Sequence, residues 1–121
     1  MAASPKVDEK KLELKLAVTT KFFRALGEPK RLKIIKALLE GEKNVTELVE
    51  LVGSTQGGVS NHLGCLKQCG FVNMREDGKF VYYSIADENI RQLLYVSDLM
   101  ITKNAERIWA CTRVNASSED D

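Results

Sequence analysis

Residues 44–70 read "NVTELVELVGSTQGGVSNHLGCLKQCG", and this stretch decides the fold. Its first part can open on Asn44 or Thr46 as N-cap, turns Leu48, Val49 and Val52 to one side, and closes on Gly53, which predicts a short helix. The second part restarts on Ser54 or Thr55, repeats apolar residues at Val59, Leu63 and Leu66, and stops at Gly70. Two short helices joined by a tight glycine-containing turn have the form of a helix-turn-helix, a form they share with any small helical hairpin.

The flanking segments narrow the choice. After Gly70, "FVNMREDGKFVYYSI" (71–85) contains two strand-like runs around Asp77-Gly78, a dipeptide favoured in type I′ hairpin loops, which predicts Glu76 opposite Lys79. A helix-turn-helix followed by a hairpin is a winged helix, with Arg75 and Lys79 at the tip of its wing. Before it, Leu12, Leu16, Phe23 and Leu26 recur at helical spacing up to Gly27. "EPKRLKIIKALLEG" (28–41) starts a further helix on Pro29, with Leu32, Ile35, Leu38 and Leu39 on one side. A long last helix opens at Asp87, with Ile90, Leu93, Leu94, Met100, Ile101 and Ile108 as its apolar positions. The expected class is mainly α with a small two-stranded antiparallel β wing. Residues 8–113 form the domain, 1–7 a loose N-terminus and 114–121 an acidic tail. A long terminal helix in a domain whose core is already supplied needs a partner surface, and pairing of first and last helices across a twofold axis supplies one.

Composition bounds the function. The 121 residues fit one domain, and 18 Lys and Arg against 17 Asp and Glu give a net charge of +1. Glu119, Asp120 and Asp121 hide a mildly basic body, which permits nucleic-acid binding without demanding it. No apolar run approaches the roughly 20 residues of a membrane span, and "MAASPKVDEKK" lacks a signal-peptide core, so a cytoplasmic protein is expected. In a reducing compartment, three cysteines do not make a disulfide framework. One histidine and no clustered carboxylates leave no acid-base constellation for an enzyme.

The helix from Ser54 separates into faces at about 100° per residue. Val59, Leu63 and Leu66 mark the core direction. Gln56, Gly57, Ser60, Gly64 and Lys67 share a neighbouring face of short, amide-bearing or cationic side chains suited to base edges and phosphates. Gly57 and Gly58 weaken the first turn; they either let a DNA backbone approach or mark a frayed end. Cys65 and Cys69 lie on the remaining flank with His62. Side chains four apart on a helix have Cβ atoms about 5 to 6 Å apart, so both sulfurs can reach one ion. A disulfide needs about 3.8 Å. Two buried small residues would look the same in sequence. Cys111, beyond the last helix in "IWACTRV", makes a third thiol, and three thiolates suit Cd(II), Pb(II) or Hg(II) better than a hard cation. His62 reads as a packed residue rather than a ligand.

The segments "LGEPKRLKIIKALLEG", "TQGGVSNHLGCLKQCGFV" and "REDGKFVYYSI" together resemble the ArsR/SmtB family of winged-helix metalloregulatory repressors, over roughly residues 10–110. The resemblance implies a homodimer that binds double-stranded operator DNA and releases it when an inducer binds. It also implies that Gln56, Gly57, Ser60 and Asn61 approach the major groove, with Arg75 and Lys79 near the minor groove or backbone. The third helix carries "VTELVEL" where arsenic sensors have CVC, and "DENIRQLL" lacks the histidines of zinc sensors. Cys65, Cys69 and Cys111 are similar to the cadmium- and lead-sensing branch, in which two recognition-helix cysteines join a C-terminal cysteine of the other subunit. Related members sense mercury. A thiol-based redox-sensing repressor and a winged-helix protein-interaction module are the rival readings.

Overall fold

The computed structural model describes residues 5–113, with side-chain surroundings given for residues 9–111. The acidic residues expected as a tail, 114–121, lie outside the described residues, as do residues 1–4. The chain divides into two compact units, Met1–Ala86 and Asp87–Asp121.

In the first unit α1 spans Pro5–Leu26 and α2 Pro29–Leu38. The first helix begins inside the stretch read as a loose end, because a proline costs nothing at a first helical turn whose N–H has no intrahelical partner. Glu28 caps α2, its carboxylate accepting from the Arg31 backbone N–H at 2.9 Å. Next come β1 (Lys43–Asn44), α3 (Val45–Val52), α4 (Gln56–Gln68), β2 (Val72–Asp77) and β3 (Phe80–Ile85). The sheet is three-stranded, ordered β1-β3-β2 and antiparallel throughout, rather than the two strands expected. The extra strand is two residues long, pairs Lys43 with Tyr83 and Asn44 with Tyr82, and is too short to carry an alternating pattern.

Asn44 ends that strand and caps α3 with a complete capping box. Its Oδ1 accepts from the Glu47 backbone N–H at 2.9 Å, and Glu47 Oε1 accepts from the Asn44 backbone N–H at 2.9 Å. Gly53 then takes a left-handed φ of 74°, reversing the chain at the end of α3. The core lies where α2, α3 and α4 meet β2: Ile34, Ile35, Leu48, Val59, Leu63, Leu66 and Phe71 are all buried. Each such side chain contributes on the order of 1.5–3 kcal/mol. Phe71 is held at both ends of its backbone, its N–H donating to Leu66 O and its carbonyl accepting from Ala86 N–H. Its ring packs on Phe22 of α1 at 4.8 Å between centroids.

The second unit is α5, Glu88–Arg113, interrupted at Asn104 (φ −119°, ψ 22°). There the Asn104 side-chain amide donates to Met100 O at 3.0 Å, competing with the helical ladder. Cys111, expected beyond the last helix, lies within the helical segment that follows the kink.

Candidate nucleic-acid interface and thiol site

Helix α4 is set by its cap and its buried stripe. Thr55 Oγ1 accepts from the Gly58 backbone N–H at 3.0 Å, while Val59, Leu63 and Leu66 are fully buried. That orientation leaves Gln56, Gly57, Ser60, Asn61, Gly64 and Lys67 exposed together. No acidic residue stands in the first turn of this thirteen-residue helix, so its positive end is uncompensated and favours an anion. The glycines differ. A Cβ on Gly57 or Gly64 would meet nothing within 4 Å, whereas one on Gly58 would come within 2.9 Å of Ser54 Oγ and 3.2 Å of Thr55 Oγ1. Gly58 therefore serves the cap itself, and only Gly57 and Gly64 open the exposed face.

The wing differs from expectation in its turn. Asp77 pairs with Phe80 and Glu76 with Val81, so the loop residues are Gly78 and Lys79, not Asp77 and Gly78. Positive φ is confined to Gly78, at 65°; this is the pattern of a II′ turn, which asks for glycine at its first central position only. Lys79 consequently stands at the exposed tip instead of opposite Glu76. Arg75 is engaged within the protein. Its Nε and Nη2 donate to Glu42 Oε2 and Oε1 at 2.7 and 2.8 Å, and its guanidinium carbon lies 4.8 Å from the centre of the Tyr82 ring. The Arg75 hydrogen bond and charge hold the Glu42 carboxyl below its ordinary pKa, against a smaller opposing effect of desolvation, and Glu42 in turn raises that of Arg75. Nothing in the local pattern around Glu42 or Arg75 announces this pair.

Cys65 and Cys69 face a groove of about 720 Å³ between α4, α1 and the start of α2, lined also by Leu16, Lys21, Arg24 and Arg31. Both thiols are half-buried. Cys69 is the C-cap of α4, its N–H donating to Cys65 O at 3.0 Å. Burial, the neighbouring charge of Cys65 and a hydrogen bond between the two side chains push the Cys69 thiol above its ordinary pKa, outweighing Lys21 and Arg31. His62 turns to α2: Arg31 Nη1 lies 3.4 Å from its Nδ1 and Glu28 Oε1 lies 3.9 Å from its Nε2. Burial works to raise the Glu28 pKa, but hydrogen bonds from Arg31 and Lys30 and the charges of His62 and Arg31 prevail and lower it. Cys111 is exposed on α5. Among the described residues, no three His, Cys, Asp or Glu side chains form a group that could hold a metal ion within one chain.

A family model described as "Bacterial regulatory protein, arsR family" matches residues 28–74. The chain is 41% identical over 101 residues to a probable mercury resistance operon repressor of Streptomyces lividans, covering 84% of this chain and 81% of that protein. The chain belongs to the ArsR family. ArsR proteins are transcriptional regulators that bind DNA, not enzymes. A second relative, a homologue of the cadmium resistance transcriptional regulatory protein CadC from Staphylococcus aureus, is 41% identical over 75 residues, 61% of this chain and 62% of that protein. Among solved structures, the homodimeric winged helix-turn-helix DNA-binding domain of Mb0332 from Mycobacterium bovis superposes with a TM-score of 0.72 at 28% identity, covering 88% of this chain and 95% of that one. The matched ArsR segment runs from the cap of α2 into β2, so it contains α4 with Cys65 and Cys69 and stops just before Arg75. No helix among the described residues of this ArsR chain is long and apolar enough to cross a membrane.

Proposed function

We propose that this ArsR-family protein is a metal-responsive repressor that binds operator DNA as an apo homodimer and releases it when Cd(II), Pb(II) or Hg(II) binds Cys65 and Cys69, with Cys111 as a third donor. The observation that carries the reading is the placement of two half-buried thiols, one turn apart and lining one groove, on the helix that also presents Gln56, Gly57, Ser60, Asn61 and Lys67. The donor set fits a soft ion: two sulfurs one turn apart, with no carboxylate on α4 to recruit a hard cation. When bound, such an ion cross-links the sulfurs and draws any further thiol toward them.

The chain's own residues supply the rest. Cys69 caps α4 and precedes Gly70, whose left-handed φ of 83° ends the helix there. Force on this thiol therefore turns the helix that meets the major groove, and Lys79 follows as the wing tip. Arg75 would join the contact by exchanging Glu42 for a phosphate. Coupling free energies between two such sites run to about 1–3 kcal/mol, a change of roughly five- to 150-fold in DNA affinity. Dimer formation is supported by the apolar residues left exposed on α1 and α5, among them Leu12, Leu16, Tyr95 and Leu99.

The test is anaerobic titration of Cd(II), Pb(II) and Hg(II) while operator affinity and thiolate-to-metal absorbance are followed, in wild type and in Cys65→Ser, Cys69→Ser and Cys111→Ser. Affinity for operator that none of the three ions alters ends the metal-switch reading. Absorbance bands that Cys111→Ser leaves unchanged remove Cys111 from the donor set. DNA binding without a steep loss on raising salt would favour the protein-interaction module instead.

A further inference from the structure

The guanidinium of Arg75 is engaged on three sides. Glu42 takes Nε and Nη2, Asp77 Oδ2 lies 3.7 Å from Nη1, and Tyr82 covers one face. In this arrangement Glu42 takes the Nε–Nη2 edge, and the remaining Nη1 side stands next to the Asp77 carboxylate, which disfavours a phosphate there. The clasp is nevertheless an exposed one, with side-chain accessibilities of 53% for Arg75 and 33% for Glu42, so water and salt weaken it. Carboxylate and phosphate offer arginine the same fork of two oxygens. Glu42 also stands where the fold holds it: it immediately precedes β1, which pairs with β3, so Arg75 on β2 meets it across Tyr82 of the intervening strand, 33 residues away in sequence.

We propose that Glu42 is an internal competitor for DNA phosphate, holding Arg75 in the free protein and yielding it when a phosphate docks on the wing. The inference rests on the DNA-binding reading and adds a residue that sets affinity without being a DNA contact. Two effects act in the same direction. Arg75 gains from a phosphate only the difference between that contact and the one it gives up, and the released Glu42 carboxylate then faces a polyanion. Both are independent of base sequence, so Glu42 holds down general affinity for duplex DNA.

The experiment measures binding of full-length wild type, Glu42→Gln, Glu42→Ala, Arg75→Gln and the Glu42→Gln/Arg75→Gln double variant to a random-sequence duplex across a range of salt. Glu42→Gln and Glu42→Ala are both expected to bind several-fold more tightly at low salt, with a log-log salt slope steeper by up to about 0.9, the share of one phosphate contact. Arg75→Gln is expected to bind more weakly with a shallower slope, and the gain from Glu42→Gln shrinks in its presence. An equal gain with and without Arg75 would show a bare charge effect and overturn the competition. Weaker binding by both Glu42 variants, with far-UV dichroism intact, would make Glu42 a support for a DNA-contacting Arg75 and overturn it too. Wild type that binds no duplex at any salt removes the DNA reading and this inference together. Wild type that binds, beside Glu42 variants with unchanged affinity and slope, removes this inference alone.

Discussion

Replacing Gly64 by alanine separates stability from DNA recognition in a single substitution. Gly64 sits mid-way along α4, its backbone helical and the space where a Cβ would stand empty to 4 Å. The full difference in helix propensity is therefore available, about 0.8–1.0 kcal/mol in favour of alanine. For a chain of 121 residues this corresponds to a rise in Tm of about 3–6 °C. The same methyl lies between Ser60 and Lys67 on the exposed face, where a close-fitting duplex leaves no room for it. Loss of fit comparable to one mismatched base pair costs about 1–3 kcal/mol, or roughly five- to 150-fold in operator affinity. Calorimetry or thermal dichroism reads the first effect and fluorescence anisotropy with labelled operator the second. Gly58→Ala is the control, because its methyl would collide with Ser54 Oγ and disturb the Thr55 cap, so it gains no stability. A Gly64→Ala protein that is more stable yet binds operator as wild type does would refute the assignment of this face to DNA.

Other outcomes follow from single contacts. Leu63→Ala, at a fully buried position in α4, is expected to destabilise by about 2–5 kcal/mol, measured by urea unfolding. Asn44→Ala removes the side-chain half of the α3 capping box, the bond that Asn44 Oδ1 accepts from the Glu47 N–H, and should cost about 0.5–2 kcal/mol in the same assay, while Asn44→Asp should retain most of it. The raised Cys69 pKa favours the neutral thiol in the folded state. Its contribution to stability is thus fully present below the ordinary thiol value of 9.0 and is lost as pH rises through the higher folded value, a loss that Cys69→Ser should abolish. Because binding of an ion displaces thiol protons, apparent Cd(II) affinity in a chelator-buffered titration should keep climbing with pH beyond that ordinary value.

The helices were legible in the sequence because each carries its own punctuation. Pro29, Asn44, Thr55, Gly53 and Gly70 act through bonds or dihedrals within a few residues, and the α4 faces follow from periodicity alone. Where the reading missed, the deciding interaction was distant or a matter of one residue. β1 exists through its pairing with Tyr82 and Tyr83 rather than through any pattern of its own. The hairpin loop shifted by one residue because Gly78 suits the first position of a II′ turn as well as the second of a I′ turn. Arg75 looked free at the wing because its carboxylate partner is 33 residues away. The apolar stripe of α1 reads as a surface for a partner, and Leu12 and Leu16 are 62% and 67% exposed in the single chain; helical periodicity marks a face to be covered without saying which chain covers it.

The three faces of α4 also say what kind of coupling the proposed switch can have. Cys69 stands at the C-terminal end and the capped first turn at the other, about 20 Å apart for thirteen residues at 1.5 Å each, with Cys65 one turn inside. Left-handed glycines bracket the helix, Gly53 before it and Gly70 after it, and mark it off as one rod, so the proposed switch is one of tilt. Its buried stripe of Val59, Leu63 and Leu66 is close-packed and resists sliding, so the switch as proposed turns the helix about that stripe. In this proposal a pull at Cys69 reaches Ser60 as a tilt of the whole rod, and Gly64 is the glycine that lies between them. Alanine at that position stiffens the rod. Gly64→Ala should therefore lower operator affinity in the apo and the metal-loaded states by similar factors, leaving their ratio intact or enlarged; a ratio that collapses toward unity would mean that the signal depends on bending at Gly64 rather than on a rigid tilt.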